Sequence, residues 1–219
     1  LLTNFCKKRK IKIILTAHNL EDQVETFFIR LSRGSGLHGL SAMKQINQLD
    51  GKINLVRPLL DFKKVQLTKI AKFIFSKFYK DPSNKNTKYL RTRIRNLKKS
   101  LETSGISYDQ ILKSIKNLAS SRDTLDLYFN NIYKNTVSKK KNLILINLKK
   151  LNHLNQEMKM RVFKKSIKDF TNAYYSLRTK KIFNLIKQIE EKNRVKLTLG
   201  GCVILREKNH IILEKENKR

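Results

Sequence analysis

Tryptophan is absent from this sequence, and proline and cysteine each occur only twice in 219 residues. Cys6 and Cys202 stand far apart and belong to no C-x-x-C pair, so neither a disulfide framework nor a zinc or iron–sulfur centre is indicated. A reducing, cytoplasmic compartment is the expectation. No apolar run approaches the roughly 18 to 20 residues that span a bilayer, and the opening LLTNFCKKRK lacks the apolar core and cleavage site of a signal peptide. Neither secretion nor membrane insertion is expected. That opening also lacks an initiator Met and reads as the end of a helix entering a basic turn, as though the chain began inside a domain.

Acids are scarce: 17 Asp and Glu face 49 Lys and Arg, a formal charge of +32. Such an imbalance favours a polyanionic partner, nucleic acid before a membrane surface. A chain dense in Lys, Asn and Ile and poor in Trp and Pro is also what codon-level drift produces, so charge supports nucleic-acid binding without proving it.

What is present suffices to fold. Hydrophobic residues make up 40%, enough for a core in one large or two small domains. The β-branched KIKIILTA, residues 10–17, suits a buried strand of a mainly parallel sheet. A helix follows, with Asn19 as N-cap, Asp22 completing a capping-box variant, Val24, Phe27, Phe28 and Leu31 as an apolar stripe, and Gly34 as the stop. INLVRPLLDF, residues 53–62, predicts a second strand leading into a helix from Lys63 to Phe78, where Phe73, Phe75 and Phe78 read as core. After the polar loop YKDPSNKNTKYL, helix resumes near Tyr89. Further helices are expected over 107–137, 155–171 and 178–192, with NLILINL as a short strand. The last stretch, KLTLGGCVILREKNHIILEKE, alternates like a hairpin, Gly200-Gly201 forming a bulge or bend and Lys208-Asn209 the turn. The fold class is therefore α/β over residues 1–95, followed by a mainly helical part over 96–219 with a small terminal β element.

Two constellations carry chemistry. On a helical wheel His18, Asp22 and Glu25 fall within about 60° of one another, opposite the apolar stripe. They would lie at the carboxyl end of a strand, where open parallel sheets bind ligands. Arg33 follows on the same side and leads into Gly34-Ser35-Gly36, whose backbone can approach a phosphate or sugar. Acids in a first helical turn and a glycine after the last are also ordinary capping, so spacing alone does not decide. In the second constellation, DPSNKNTKYLRTRIRNLKK, residues 81–99, Arg91 and Arg95 share a helical face suited to holding phosphates, and Arg93 sits on another. A solvated basic helix is the competing reading.

Taken together, TAHNLEDQVETFFIRLSRGSGLHGLSAM, RPLLD and DPSNKNTKYLRTRIR resemble, in order and spacing, the tRNA(Ile)-lysidine synthetase family, a branch of the N-type (PP-loop) ATP pyrophosphatases. The resemblance is strongest over residues 14–97 and returns near 195–213. It implies a Rossmann-like parallel-sheet ATP-binding domain, of which residues 1–95 would be the carboxyl part, and a helical tRNA-contacting domain with a terminal hairpin over 96–219. It implies adenylation, with ATP and Mg2+, of C2 of the wobble cytidine in a tRNA(Ile) with a CAU anticodon. L-lysine then displaces AMP, which changes codon reading from AUG to AUA.

Carried over to this sequence, His18, Asp22 and Glu25 match the H-x-x-D-D-x-x-E-T motif as catalytic residues. Arg33, Gly34, Ser35 and Gly36 match the R-G-S-G segment, while Asp81, Asn84, Arg91, Arg93 and Arg95 match the nucleotide- and tRNA-binding region. No metal site is assigned with certainty, Asp22 being the candidate magnesium contact. Glu21 stands where the family has the first paired aspartate, Thr92 replaces the usual Asn, and no Gly precedes Gly34, so the pyrophosphate-cradling S-G-G-x-D-S loop does not occur. The expectation is an amino-terminally truncated synthetase that alone does not turn over ATP. A tRNA-thiolating PP-loop enzyme and a non-catalytic tRNA-binding remnant are the alternatives, and a homodimer stays open.

Overall fold

A computed structural model describes residues 2–49, 53–76, 81–82, 86–171 and 177–216. It consists of two compact units, Leu1–Asp123 and Thr124–Arg219.

The first unit runs α1 (Leu2–Lys8), β1 (Ile13–Leu15), α2 (Leu20–Leu31), α3 (Leu37–Leu40), β2 (Ile46–Gln48), β3 (Asn54–Val56), α4 (Lys64–Phe75), α5 (Leu90–Asn96), α6 (Lys98–Thr103) and the start of α7 (Tyr108–Thr136). Its sheet has the order β1-β3-β2. β1 and β3 are parallel, with Ile14 opposite Leu55, while β2 runs antiparallel to β3. The capping box read from the sequence is present: Asp22 N–H donates to Asn19 Oδ1 at 3.1 Å, and Asn19 N–H donates to Asp22 Oδ2 at 3.0 Å. That reciprocal pair satisfies amides at the start of α2 that the helix itself leaves without acceptors.

Tertiary contacts redraw the expected stripe of α2. Val24 is fully buried, Phe27 and Phe28 are half-buried, and Leu31 is exposed. The core of this unit joins Leu20, Val24 and Ala42 to Tyr108, Ile111 and Ile115. The start of α7 therefore packs with α2, and the compact unit extends past residue 95. Burying each large aliphatic side chain contributes roughly 1.5–3 kcal/mol. Polar clamps fix the loop after α3. The Gln23 amide donates to Met43 O at 2.9 Å and accepts from Met43 N–H at 2.8 Å, and Arg30 Nη1 donates to Gly39 O and Ala42 O at 2.8 Å each. The aromatic core expected in α4 is not there: Phe73 and Phe75 are exposed and the helix buries no residue. Among the described residues nothing buries that face, and Phe78 lies outside them.

The second unit takes the rest of α7, then β4 (Val137–Lys139), β5 (Leu143–Asn147), α8 (Leu148–Asn152), α9 (Gln156–Thr171), α10 (Thr179–Glu191), β6 (Val195–Leu199), β7 (Cys202–Glu207) and β8 (His210–Lys215). NLILINL does not stand alone. Its strand β5 pairs with β8, giving a five-stranded antiparallel sheet of order β4-β5-β8-β7-β6. Gly200-Gly201 is the turn between β6 and β7 rather than a bulge, both glycines having positive φ (64° and 81°), as a two-residue hairpin turn requires. One sheet face, with Ile144, Ile146, Ile204, Ile211 and Leu213, packs against Val162, Phe163 and Ile167 of α9 and Ile182, Leu185, Ile186 and Ile189 of α10. Cys202 joins this core, and burial pushes its thiol up to about 11. Among the described residues no helix is long and apolar enough to cross a membrane.

Candidate active site

The start of α2 opens onto a cleft of about 680 Å³. Asn19, Glu21, Asp22 and Glu25 form one wall, and Lys64, Val65, Thr68, Lys69 and Lys72 of α4 form a basic one. Arg95, Lys98 and Tyr108 complete the lining. The wall from α4 is one helical face, because positions 65, 68, 69 and 72 repeat at i, i+3, i+4 and i+7.

Each acid has a different situation. Glu25 is almost fully buried (1% exposed). Arg95 Nε donates to its Oε1 at 2.7 Å and Arg95 Nη2 to its Oε2 at 3.2 Å, while Arg91 Nε pairs with Oε2 at 3.2 Å. This charge-assisted fork offsets the desolvation that a buried carboxylate suffers. The same hydrogen bond from Arg95 to Glu25 is the main cause raising the Arg95 pKa, with burial opposing it. Glu21, the longer residue in place of an aspartate, reaches across to α4, where its Oε2 accepts from Lys64 N–H at 2.9 Å. Asp22 commits Oδ2 to the cap, and no hydrogen-bond partner among the described residues takes its Oδ1. It is half-buried at the cleft wall.

The other candidates do not all converge there. His18 precedes the N-cap instead of sharing the helical face of Asp22 and Glu25. Its Nδ1 lies 3.0 Å from Thr16 Oγ1, and it does not line the cleft. His18 lies before the N-cap that the sequence itself marks at Asn19, where the 100° period of the helix does not apply. Arg33, Gly34 and Gly36 are exposed and Ser35 half-buried, away from the cleft. Gly34 N–H donates to Leu31 O at 2.9 Å and Ser35 N–H to Arg30 O at 3.0 Å. These two amides serve the helix end and are not turned to a phosphate. Arg91 and Arg95 share a face as expected, yet the group they hold in the structure is Glu25. Arg93 is exposed on another side, Asp81 is exposed, and Asn84 lies outside the described residues. Among the described residues no cluster of His, Cys, Asp and Glu could hold a metal ion.

Sequence reading missed Lys64, Lys69, Lys72, Lys98 and Tyr108. The four-residue face of α4 was visible in the heptad spacing, but its lysines look like solvated charge until Glu21 ties that helix to α2. Nothing local marks Tyr108.

A family model described as a PP-loop domain matches residues 1–101. Along its whole length the chain is 33% identical to the tRNA(Ile)-lysidine synthase of Wolbachia pipientis wMel, of which it covers 51%. It is 32% identical, also along its whole length, to the protein of that name from Wolbachia sp. subsp. Brugia malayi, again covering 51% of it. To the one from Bradyrhizobium diazoefficiens it is 48% identical over 92 residues, 42% of this chain and 25% of that protein. The chain thus spans about half the length of the relatives it matches from end to end.

Proposed function

We propose, from the premise that this chain belongs to the tRNA(Ile)-lysidine synthase family of PP-loop proteins, that it takes part in ATP-dependent ligation of L-lysine to C2 of the wobble cytidine in a tRNA(Ile) with a CAU anticodon. The cleft is the lysine-handling site in this reading. The observation that carries it is the pairing of the acidic wall of α2 with the basic wall of α4 around one opening, an arrangement complementary to an amino acid, whose ammonium and carboxylate ask for opposite charges.

ATP supplies the activation, turning the C2 oxygen of the cytidine into a leaving group that departs as AMP. The residues of this chain do the rest. Asp22, with one carboxylate oxygen left by the helix cap, pairs with a lysine ammonium. Lys69 and Lys72 attract the amino-acid carboxylate. Glu25, locked by Arg91 and Arg95, fixes the wall against which the amine is oriented, and orientation of this kind supplies much of the rate in a two-substrate reaction. To attack C2 the ammonium must first give up a proton and expose its lone pair, and Asp22, with an oxygen left by the cap, can accept that proton. Contact with magnesium entering with the nucleotide would be the alternative use of that same Asp22 oxygen. Arg33 and Arg93, exposed and clear of the cleft, are assigned to the RNA backbone, and the excess of +32 to long-range attraction of tRNA.

The pyrophosphate-cradling motif is not in this sequence, so the test supplies it. The chain is fused to an upstream segment carrying S-G-G-x-D-S and given ATP, labelled lysine and a tRNA(Ile) CAU transcript. Lysine transfer with AMP release supports the reading. Salt-sensitive tRNA binding without any transfer would instead favour a non-catalytic RNA-binding role, which the charge alone accommodates.

A further inference from the structure

Three buried side-chain atoms have no hydrogen-bond partner among the described residues: Arg57 Nε, Tyr108 Oη and Arg206 Nε. The two guanidinium groups are engaged through other nitrogens, Arg57 Nη1 to Lys44 O at 2.8 Å and Arg206 Nη1 to Lys192 O at 2.7 Å. Tyr108 has no other polar side-chain atom. It is 6% exposed and lines the cleft. Burying a hydroxyl without a partner is unfavourable, and a phenyl ring of the same shape would fill this core without that penalty.

The surroundings say which kind of partner fits. The ring face of Tyr108 already carries a cation, the Lys98 ammonium 5.1 Å from its centroid, which leaves the hydroxyl as the part of the side chain still without a partner among the described residues. The charges acting on that edge are mainly negative, Glu25, Glu102 and Glu21 against Arg95. Burial and these carboxylates hold the phenol in its neutral form. Glu25 is saturated by its arginines, and Glu21 caps α4. A ligand cation in the cleft therefore has Asp22, with Glu21 beside it, as its charge partners and needs neutral acceptors for its remaining N–H groups.

Resting on the reading of the cleft as a lysine site, we propose that Tyr108 is a substrate-contacting specificity residue whose phenol oxygen accepts a hydrogen bond from an ammonium group of the amino acid paired with Asp22. The hydroxyl selects for an amine, which donates to it, over an apolar side-chain end, which would leave it orphaned in the complex too. Discrimination of that kind is large when the rejected analogue leaves a buried polar group unpaired.

The experiment is calorimetric titration of the 219-residue chain and its Tyr108→Phe variant with L-lysine and with L-norleucine, which lacks the side-chain amine, alongside thermal melts. The expected result is roughly tenfold weaker lysine binding by Tyr108→Phe, the size of one hydrogen bond to a charged group. Norleucine should bind both proteins equally poorly, and the ligand-free variant should melt no lower than the parent. Equal lysine affinities for parent and variant would make Tyr108 a core residue, overturning the proposal while leaving the lysine site standing. Failure of the parent itself to bind lysine would overturn the reading of the cleft, and this inference with it.

Discussion

Arg95 grips Glu25 at two points, Nε to Oε1 at 2.7 Å and Nη2 to Oε2 at 3.2 Å, across seventy positions of sequence. The pair joins α5 to α2 and brings the second constellation of the sequence onto the first. Replacing Glu25 by Gln leaves two guanidinium groups facing a neutral amide. The expected loss is about 2 kcal/mol, below the value for a fully buried pair because both arginines are partly solvated. Denaturant unfolding of the variant measures it, and an unchanged midpoint would remove Glu25 from the list of residues holding α5 in place.

Asp22→Asn separates charge from capping. The amide keeps an acceptor oxygen for Asn19 N–H, so stability should fall by no more than about 1 kcal/mol. Lysine incorporation by the fused enzyme should nevertheless collapse, with tRNA affinity nearly unchanged. Equal losses in both assays would reduce Asp22 to a helix cap.

Arg93→Ala is the complementary probe. Arg93 is exposed and outside the Glu25 network, so its removal should leave folding and lysine binding alone. It should weaken tRNA binding and reduce the slope of log affinity against log salt by about one unit. Filter binding over a salt series decides the point.

Glycines with nearly the same dihedral should differ in tolerance. Gly34 and Gly200 both have φ of 64°, yet a Cβ on Gly34 meets nothing within 4 Å, whereas one on Gly200 comes within 3.0 Å of Ile167 Cγ2 and Leu177 Cδ1. Gly34→Ala should cost about 1 kcal/mol from the left-handed backbone alone. Gly200→Ala adds overpacking of the second core and should cost roughly 2–4 kcal/mol, a difference readable in urea midpoints.

Asp169 provides a pH signature for the second unit. Burial alone would raise its pKa, but the Lys139 ammonium at 2.7 Å, Lys165 and the Tyr133 hydroxyl hold it below the ordinary carboxylate value. A folded pKa below the unfolded one stabilises the fold above about pH 4. That contribution is lost as pH falls through the folded value. Asp169→Asn should therefore be less stable than the parent at pH 7, and the gap should close towards pH 3. A gap that stays constant across that range would sever the link.

Local chemistry wrote much of the fold legibly. The capping box of Asn19 and Asp22, the start of α5 after Tyr89, the bounds of α7, α9 and α10, and the Lys208-Asn209 turn all depend on neighbours within a few residues. The aromatic face of α4 did not, because whether Phe73 and Phe75 are buried depends on what the rest of the chain brings over them. His18 precedes the N-cap that the sequence already marked at Asn19, so its place on the helical wheel is a loop position.

The order of the motifs, the charge and the helix signals were thus fixed by the sequence alone, since each is a matter of residue identity or short-range hydrogen bonding. Only the tertiary structure decided that Arg91 and Arg95 hold a buried carboxylate before any phosphate, that the Gly34 and Ser35 amides serve the helix end, and that the Lys face of α4 and Tyr108 line the cleft. Those outcomes depend on desolvation and on distances between residues far apart in the chain, which no local pattern encodes.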